Sequence, residues 1–427
     1  MANRIIYQSD ALCASSGVKA KQDTAHKQLK RIQSANYSFN VNRTDVNQFG
    51  NLARIDSTIL ETPTVSVDLT YLLGDGFNEL ALGFSESSGS HSSALTGFIA
   101  NQISATSEQG TSGINLYVLT TPEGKDANTA RAEETADYSV IGLGNCYLSD
   151  YTLDASVGDF PTVTVSLEGL NANSTTAVSG ITGARNADGA ITHSASAGTV
   201  TGFRKISGVG VNVVDGTQLS DFNPGAGPGS AAVQTINYNT TGSVHLPATA
   251  ADATIGTDLI ALKPGDMSLT LTNDKSFFDI GTSTDAGHIQ SVSLNIPLSR
   301  TPIEKLGSTF AFARVADFPI TPTLSVSAVV NTNQQQALHQ IIGDDGFIDE
   351  LNVKFNNGAG VLQAGYTLKN AKVESESVSS SIGPNKTVDL TFSLTIGGPD
   401  DETNNVFFSG SSIAQNSRIL GLFPPSA

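Results

Sequence analysis

Polar and apolar side chains alternate along residues 34–42. Ala35, Tyr37, Phe39 and Val41 fall on one side, and Ser34, Asn36, Ser38, Asn40 and Asn42 on the other. The pattern returns at 291–299, where Val292, Leu294, Ile296 and Leu298 take the apolar places and Ser291, Ser293, Asn295 and Ser299 take polar ones. A period of two over this length predicts a half-buried β-strand in each place. The polar sides are small and uncharged, which fits either an ordinary solvent-facing strand or the wall of a channel along which something slides.

The two stretches are copies. Ile32-Gln33-Ser34 recurs as Ile289-Gln290-Ser291, Arg43-Thr44 as Arg300-Thr301 and Gly50 as Gly307, all at an offset of 257 (289 − 32). Three further blocks follow in the same order. Pro63 leads into the alternating run 64–73, as Pro322 leads into 323–330, at an offset of 259 (322 − 63) that predicts two inserted residues. Leu73-Gly74-Asp75-Gly76-Phe77 matches Ile342-Gly343-Asp344-Asp345-Gly346-Phe347; Asp-Gly signals a tight turn, and the ligand spacing of a calcium loop is missing. Residues 145–167 match 370–392 at an offset of 225 (370 − 145). Collinear blocks with unequal gaps indicate a duplicated domain.

The expected organisation is an N-terminal arm (1–30), copy A (31–170), an inserted β-module or connector (171–257), copy B (258–397) and a C-terminal arm (398–427). Residues 262–271 read as an opening strand for copy B, with 6–12 as a weak counterpart. Within 83–144 a Ser-rich loop and a charged segment read as loops with a short helix, and 334–342 is the best helix candidate. The tail residues Val406, Phe407 and Phe408, with Ile419, Leu420, Leu422 and Phe423, predict docking on another surface.

Composition sharpens this picture. A chain of 427 residues is too long for one ordinary core. Its 41 Gly and 15% charged residues, with abundant Ser, Thr, Asn and Val, point to an all-β protein rich in turns. A formal net charge of −17 argues against general binding to nucleic acid or anionic membrane. The same charge suits a surface past which DNA must move without sticking. Cys13 and Cys146 form neither a metal spacing nor a disulfide framework. The first ten residues lack a signal-peptide core and no run of 18 apolar residues occurs, so synthesis in a reducing cytoplasm, with no membrane span, is expected.

No catalytic pattern emerges. The six His residues are scattered, Gly225-Ala226-Gly227-Pro228-Gly229 lacks the lysine of a phosphate cradle, and no nucleophile elbow appears. The carboxylate pairs Glu133/Glu134, Glu374/Glu376 and Asp400/Asp401 sit in polar runs, where nothing raises a carboxyl group to catalytic strength. The expectation is a non-enzyme with no catalytic residue, cofactor or metal.

The block from Arg31 to Gly50, continued by Ile59-Leu60-Glu61-Thr62-Pro63 and the run to Gly76, resembles the tail tube proteins of long-tailed bacteriophages, with a fainter echo at 288–347. The resemblance implies tandem tail-tube-like β-sandwich domains, each with a short flanking helix, plus a β-rich insertion between them. In that family six domains close a ring, inner sheets join into one barrel, and rings stack into a tube that conducts DNA. Two domains per chain would make the ring a pseudo-hexameric homotrimer. The implied partners are further copies of the chain, other tail proteins (terminator, baseplate or tip, and a sheath in contractile tails) and DNA in transit, in a virion tail assembled in the host cytoplasm. Asp68, Glu168 and Asp389, each on the polar side of a duplicated strand, are the candidate lumen-facing acids; the tube exterior is the other placement for them. The alternatives are a virion decoration or fibre protein, or a β-rich surface or adhesion protein.

Overall fold

A computed structural model describes residues 10–16, 27–60, 64–85, most of 96–121, 137–169, 171–179, short strand segments between 181 and 247, Leu262, 267–272, 288–304, 313–330, 347–357, 360–380, 385–410 and a few single residues. The chain is all-β, and its described residues include two helices of five and four residues in the first half.

The first half contributes β1 (Asp10–Ser16), β2 (Ile32–Asn40), β3 (Arg43–Val46), β4 (Asp56–Ile59), β5 (Thr64–Leu72), α1 (Phe77–Ala81), α2 (Ala100–Ile103), β6 (Ile114–Thr120), β7 (Asp137–Ser156), β8 (Thr162–Gly169) and β9 (Asn171–Ser179). The second contributes β10 (Met267–Thr272), β11 (His288–Pro297), β12 (Arg300–Ile303), β13 (Ala313–Ala316), β14 (Thr323–Val329), β15 (Phe347–Asn356), β16 (Leu362–Ser379), β17 (Thr387–Ser393) and β18 (Val406–Gly410). Each of β1 to β9 has its counterpart nine labels later, whereas the two-residue strand Lys27–Gln28, which pairs with β1, has none among the described residues. β2-β5-β8-β7 pair in that order, as do β11-β14-β17-β16. The N-terminal part of β7 pairs with β6 and β9, and β6 with β1; β16 repeats this with β15 and β18, and β15 with β10.

The long strands β7 and β16 therefore each pass from one four-strand set into another. Both turn at an asparagine in the left-handed region, Asn145 (φ 50°) and Asn370 (φ 55°). Asn tolerates that conformation better than other side-chain-bearing residues. Each strand then carries a bulge at the same place, Ser149 between Leu148 and Asp150, and Glu374 between Val373 and Ser375. An extra residue at a bulge bends the strand and raises its twist.

Against the expectation from chain length, apolar residues of both halves form one contiguous core, because the halves meet through β7 and β11 and share a cluster of aromatic rings. At its centre Phe84, just after α1, and Phe98, just before α2, stack at 4.3 Å between ring centroids, and Phe98 meets Tyr366 of β16 edge-on at 5.9 Å. The Tyr151 and Tyr366 hydroxyls, one from each half, lie 2.6 Å apart. Glu79 of α1 is buried beside them and accepts from the Tyr71 hydroxyl at 2.9 Å and the Tyr151 hydroxyl at 3.3 Å. Burial pushes its carboxyl group above the usual carboxylate range.

Several expectations change. β5 and β14 are related by 257, not 259: Ile32 faces Tyr71 as Ile289 faces Ala328, so no residues are inserted. The Asp-Gly blocks are not equivalent: Phe77 opens a helix, whereas Phe347 opens strand β15. Asp75 is held by Arg31 at 3.1 Å and Lys30 at 3.7 Å beside Gly76, which has φ 83°, so this segment is an ion-paired turn. The stretch 83–144 holds strand β6 and the start of β7, while the Ser-rich loop and the charged segment expected to carry a short helix lie almost wholly outside the described residues. The arm expected at 1–30 includes β1, paired along its whole length with β6, and the expected C-terminal arm includes β18, paired with β16. The duplicated pairing likewise takes in β9, so it reaches past residue 170. The helix candidate at 334–342 and the tail apolar residues from Ile419 to Phe423 lie almost wholly outside the described residues. Between 181 and 247 the Phe203–Ser207 strand pairs with Ser243–Pro247.

Candidate functional site: one filled seam, two open edges and a polar face

The two halves are joined edge to edge. β11 pairs antiparallel with the C-terminal part of β7, from Ser291 opposite Ser156 to Pro297 opposite Asp150. The ladder extends at both ends: Val157 N–H donates to Gln290 O and Leu298 N–H to Ser149 O, each at 2.9 Å. β2-β5-β8-β7-β11-β14-β17-β16 is thus one continuous antiparallel run of strands.

Two arginines lock this seam. Arg300, at the start of β12, donates to the carbonyls of Leu148 (3.5 Å), Arg314 (3.4 Å) and Gln102, and its guanidinium lies 5.1 Å from the Tyr147 ring centroid. Burial lowers its pKa to about 10. Arg314 of β13 is buried and pairs with Glu168 of β8 at 2.5 Å. Across the seam Val292, Leu294 and Ile296 are at most 1% exposed.

The same elements stand open at the ends of the run. β2, the counterpart of β11, pairs with β5 on one side; among the described residues no strand lies on its other side. Tyr37 and Phe39, the counterparts of Leu294 and Ile296, are 44% and 72% exposed. At the other end, the C-terminal part of β16 pairs with β17 alone among the described strands, and Val378, counterpart of the fully buried Leu153, is 43% exposed. The hairpin β3–β4 also stands clear, with Phe49 and Leu52 fully exposed near its tip.

The second feature is the polar face of the run. Cross-strand register sets Asn36, Asp68, Ser166 and Asp150 in one row, and Asp154, Ser293, Ser325 and Thr391 in another. Asp68 is exposed and accepts from the Ser166 hydroxyl at 2.7 Å. Glu168 is half-exposed but turned to Arg314, so it belongs to the seam lock as much as to the face. Asp389 is exposed opposite Ser327 and Ser377 and borders a shallow trough of about 710 Å³, which it shares with Asp154. The three candidate acids therefore lie on one face without converging. Asp150 and Asp154 were missed as members of that face; their signal was the alternation of Asp150, Thr152, Asp154 and Ser156 with Tyr151, Leu153 and Ala155. Among the described residues no group of acids, histidines and cysteines is arranged to hold a metal ion. Cys13 and Cys146 are both buried and unbridged, and burial pushes the Cys146 thiol up to about 12. No described helix is long and apolar enough to cross a membrane.

No protein family matches the sequence, and no curated protein does. Among solved structures, the chain is similar to a component of the tube-terminating cap of an anti-feeding prophage, at 15% identity over 36% of this chain and 98% of that one, with a TM-score of 0.24. It is also similar to a component of the baseplate of the anti-feeding prophage, solved with six-fold symmetry imposed, at 12% identity over 34% of this chain and 91% of that one, with a TM-score of 0.24.

Proposed function

We propose that this protein is a structural subunit of a phage-type tail tube. Chains join edge to edge, three of them supplying six like halves, and the closed rings stack into a hollow cylinder. The observation that carries this reading is the seam inside the chain: two like halves are already joined through β7 and β11, while among the described residues the counterpart edges stand open at both ends of the run. An open strand edge is a liability for a monomer, and closure is the one arrangement that removes it. A repeated head-to-tail contact closes into a ring when its rotation permits.

In this assembly the polar face lines the bore. Its hydroxyl and amide side chains stay wetted, and Asp68, Asp150, Asp154 and Asp389 deny a passing polyanion the cationic contacts from which DNA affinity arises. The chain does no chemistry and needs no cofactor. It acts in the virion tail, beside terminator and baseplate proteins, after assembly in the host cytoplasm.

Negative-stain microscopy and mass photometry of the purified full-length protein test the proposal. Rings or hollow rods are expected at high concentration. A chain that stays monomeric throughout, or that forms solid fibres without a bore, would reject it.

A further inference from the structure

The filled seam is a template for the empty one. Shifting β11 back by 257 residues gives β2, and shifting the C-terminal part of β7 forward by 225 gives that of β16; both offsets are fixed by strand register and by coincident bulges. We infer that β2 of one chain pairs antiparallel with the C-terminal part of β16 of a second copy, with Ser38 opposite Ser377, Tyr37 opposite Val378 and Arg43 beside Glu374. The inference rests on the assembly reading above and adds its partner strand, register and ionic contact.

Exposure supports the register. The template pair Leu294–Leu153 is 0% exposed at both residues, whereas Tyr37 and Val378, which would take its place, are 44% and 43% exposed. Docking covers both, and also Phe39. The template hydrogen bond from Leu298 N–H to Ser149 O becomes one from Val41 N–H to Glu374 O.

Charge supports it independently. Arg43 is the counterpart of Arg300 and is exposed in the single chain. In the docked copy its guanidinium reaches the Val373 carbonyl, as Arg300 reaches that of Leu148. The bulge residue next to that carbonyl is Ser149 in the filled seam and Glu374 in the open one. The Glu374 carboxylate accepts from the Ser393 hydroxyl, and Ser393 occupies the place of Glu168. A carboxylate thus waits on the open edge where the incoming arginine arrives. The other lock is absent: Arg314 and Glu168 become Ser57 and Ser393, and the Tyr147 shelf becomes Lys372. The ionic part of the seam between chains is therefore one solvent-facing pair, beside the apolar contacts of Tyr37, Phe39 and Val378, and salt weakens that part.

Two sets of variants of the full chain test this. S38C/S377C places cysteines opposite one another, within the Cα separation a disulfide spans; S34C/S375C puts them six residues out of register. Under mild oxidation the first should give a ladder of covalent multimers on non-reducing gels and the second should not; wild type, whose own two cysteines are buried, is the blank. R43E and E374R should each weaken assembly about threefold to tenfold, and R43E/E374R should recover most of the loss. Melting of dilute samples checks that each variant folds. Rings or rods that form while S38C/S377C stays uncross-linked, or a double reversal no better than either single one, would overturn the register and leave the structural role standing. A chain that never associates would remove both.

Discussion

Phe39 and Ile296 occupy the same place in the two halves, and the structure assigns them opposite energetic roles. Ile296 is 0% exposed and Phe39 is 72% exposed. Ile296→Ala deletes buried methyl and methylene groups within the chain's own seam, which costs about 2–5 kcal/mol of folding stability at any protein concentration. Phe39→Ala removes a side chain that is mostly in water, so the dilute chain should change by no more than about 0.5 kcal/mol. Its cost appears on association. Fully burying a Phe side chain contributes about 1.5–3 kcal/mol, and more than a quarter of Phe39 is already covered, so each seam should lose about 1–2 kcal/mol. That is about fivefold to thirtyfold in the association constant. Urea unfolding of dilute protein, followed by circular dichroism, reads the first quantity, and sedimentation velocity across a concentration series reads the second. If F39A destabilised the dilute chain as much as I296A, the β2 face would already be covered within the monomer. If F39A assembled like wild type, that face would take no part in a seam. Either result refutes the template argument.

Two further outcomes follow from the core and from the bend in the long strands. Burial raises the Glu79 carboxyl group above its ordinary 4.5, so the folded chain holds that proton more tightly than the unfolded chain does. The contribution of Glu79 is then complete below about pH 4.5 and is lost as pH rises through the folded value. Glu79→Gln, still able to accept from Tyr71 and Tyr151, should gain on wild type as pH rises from 4.5 towards neutrality; parallel melting curves across that range would contradict the assignment. At Asn370, where φ is 55°, Asn370→Ala should cost about 1–2 kcal/mol in urea unfolding. Asn370→Gly should lie closer to wild type, because glycine reaches the left-handed region freely, though it too loses the Asn404 hydrogen bond.

What the sequence reveals and what it hides follow from the strand period. Offsets of 257 and 225 are legible because Ile32-Gln33-Ser34 and the run from Asn145 each include a bulge, and a bulge breaks the alternation and fixes the frame. β5 and β14 have no such mark. A slip of two residues leaves every side chain on its own face, so 259 satisfies the pattern as well as 257 does, and the shared proline tips the reading the wrong way. The Asp-Gly blocks mislead for another reason: a turn sequence specifies the turn, not the element that follows it. β9 and β18 escape notice because Asn171-Ala172-Asn173-Ser174-Thr175 and Val406-Phe407-Phe408-Ser409-Gly410 share no residue pattern; backbone pairing to β7 and β16 alone makes them equivalent. Of the candidate acids, the face was legible from parity. The capture of Glu168 by Arg314 was not, because it depends on a hairpin 146 residues away.

The differences between the two seams have a physical cause in when each seam forms. β7 and β11 are tied by one chain, so their seam closes during folding and never meets a competitor. It can carry a half-buried Arg300, a buried Arg314 and an unbroken apolar row, as at Leu153 and Leu294. The open edge of β16 must first spend time in water among many copies of itself. Where β7 has Ser149 and Tyr151, the open part of β16 has Glu374 and Glu376. Charges on a free edge are how β-proteins suppress indiscriminate pairing. Here they oppose pairing between two β16 edges, which would bring like carboxylates together, while in the proposed seam β2 would bring Arg43 to the same place. Duplication within one chain lets the two seams diverge in this way; a single-domain subunit would have to meet both demands with one set of residues.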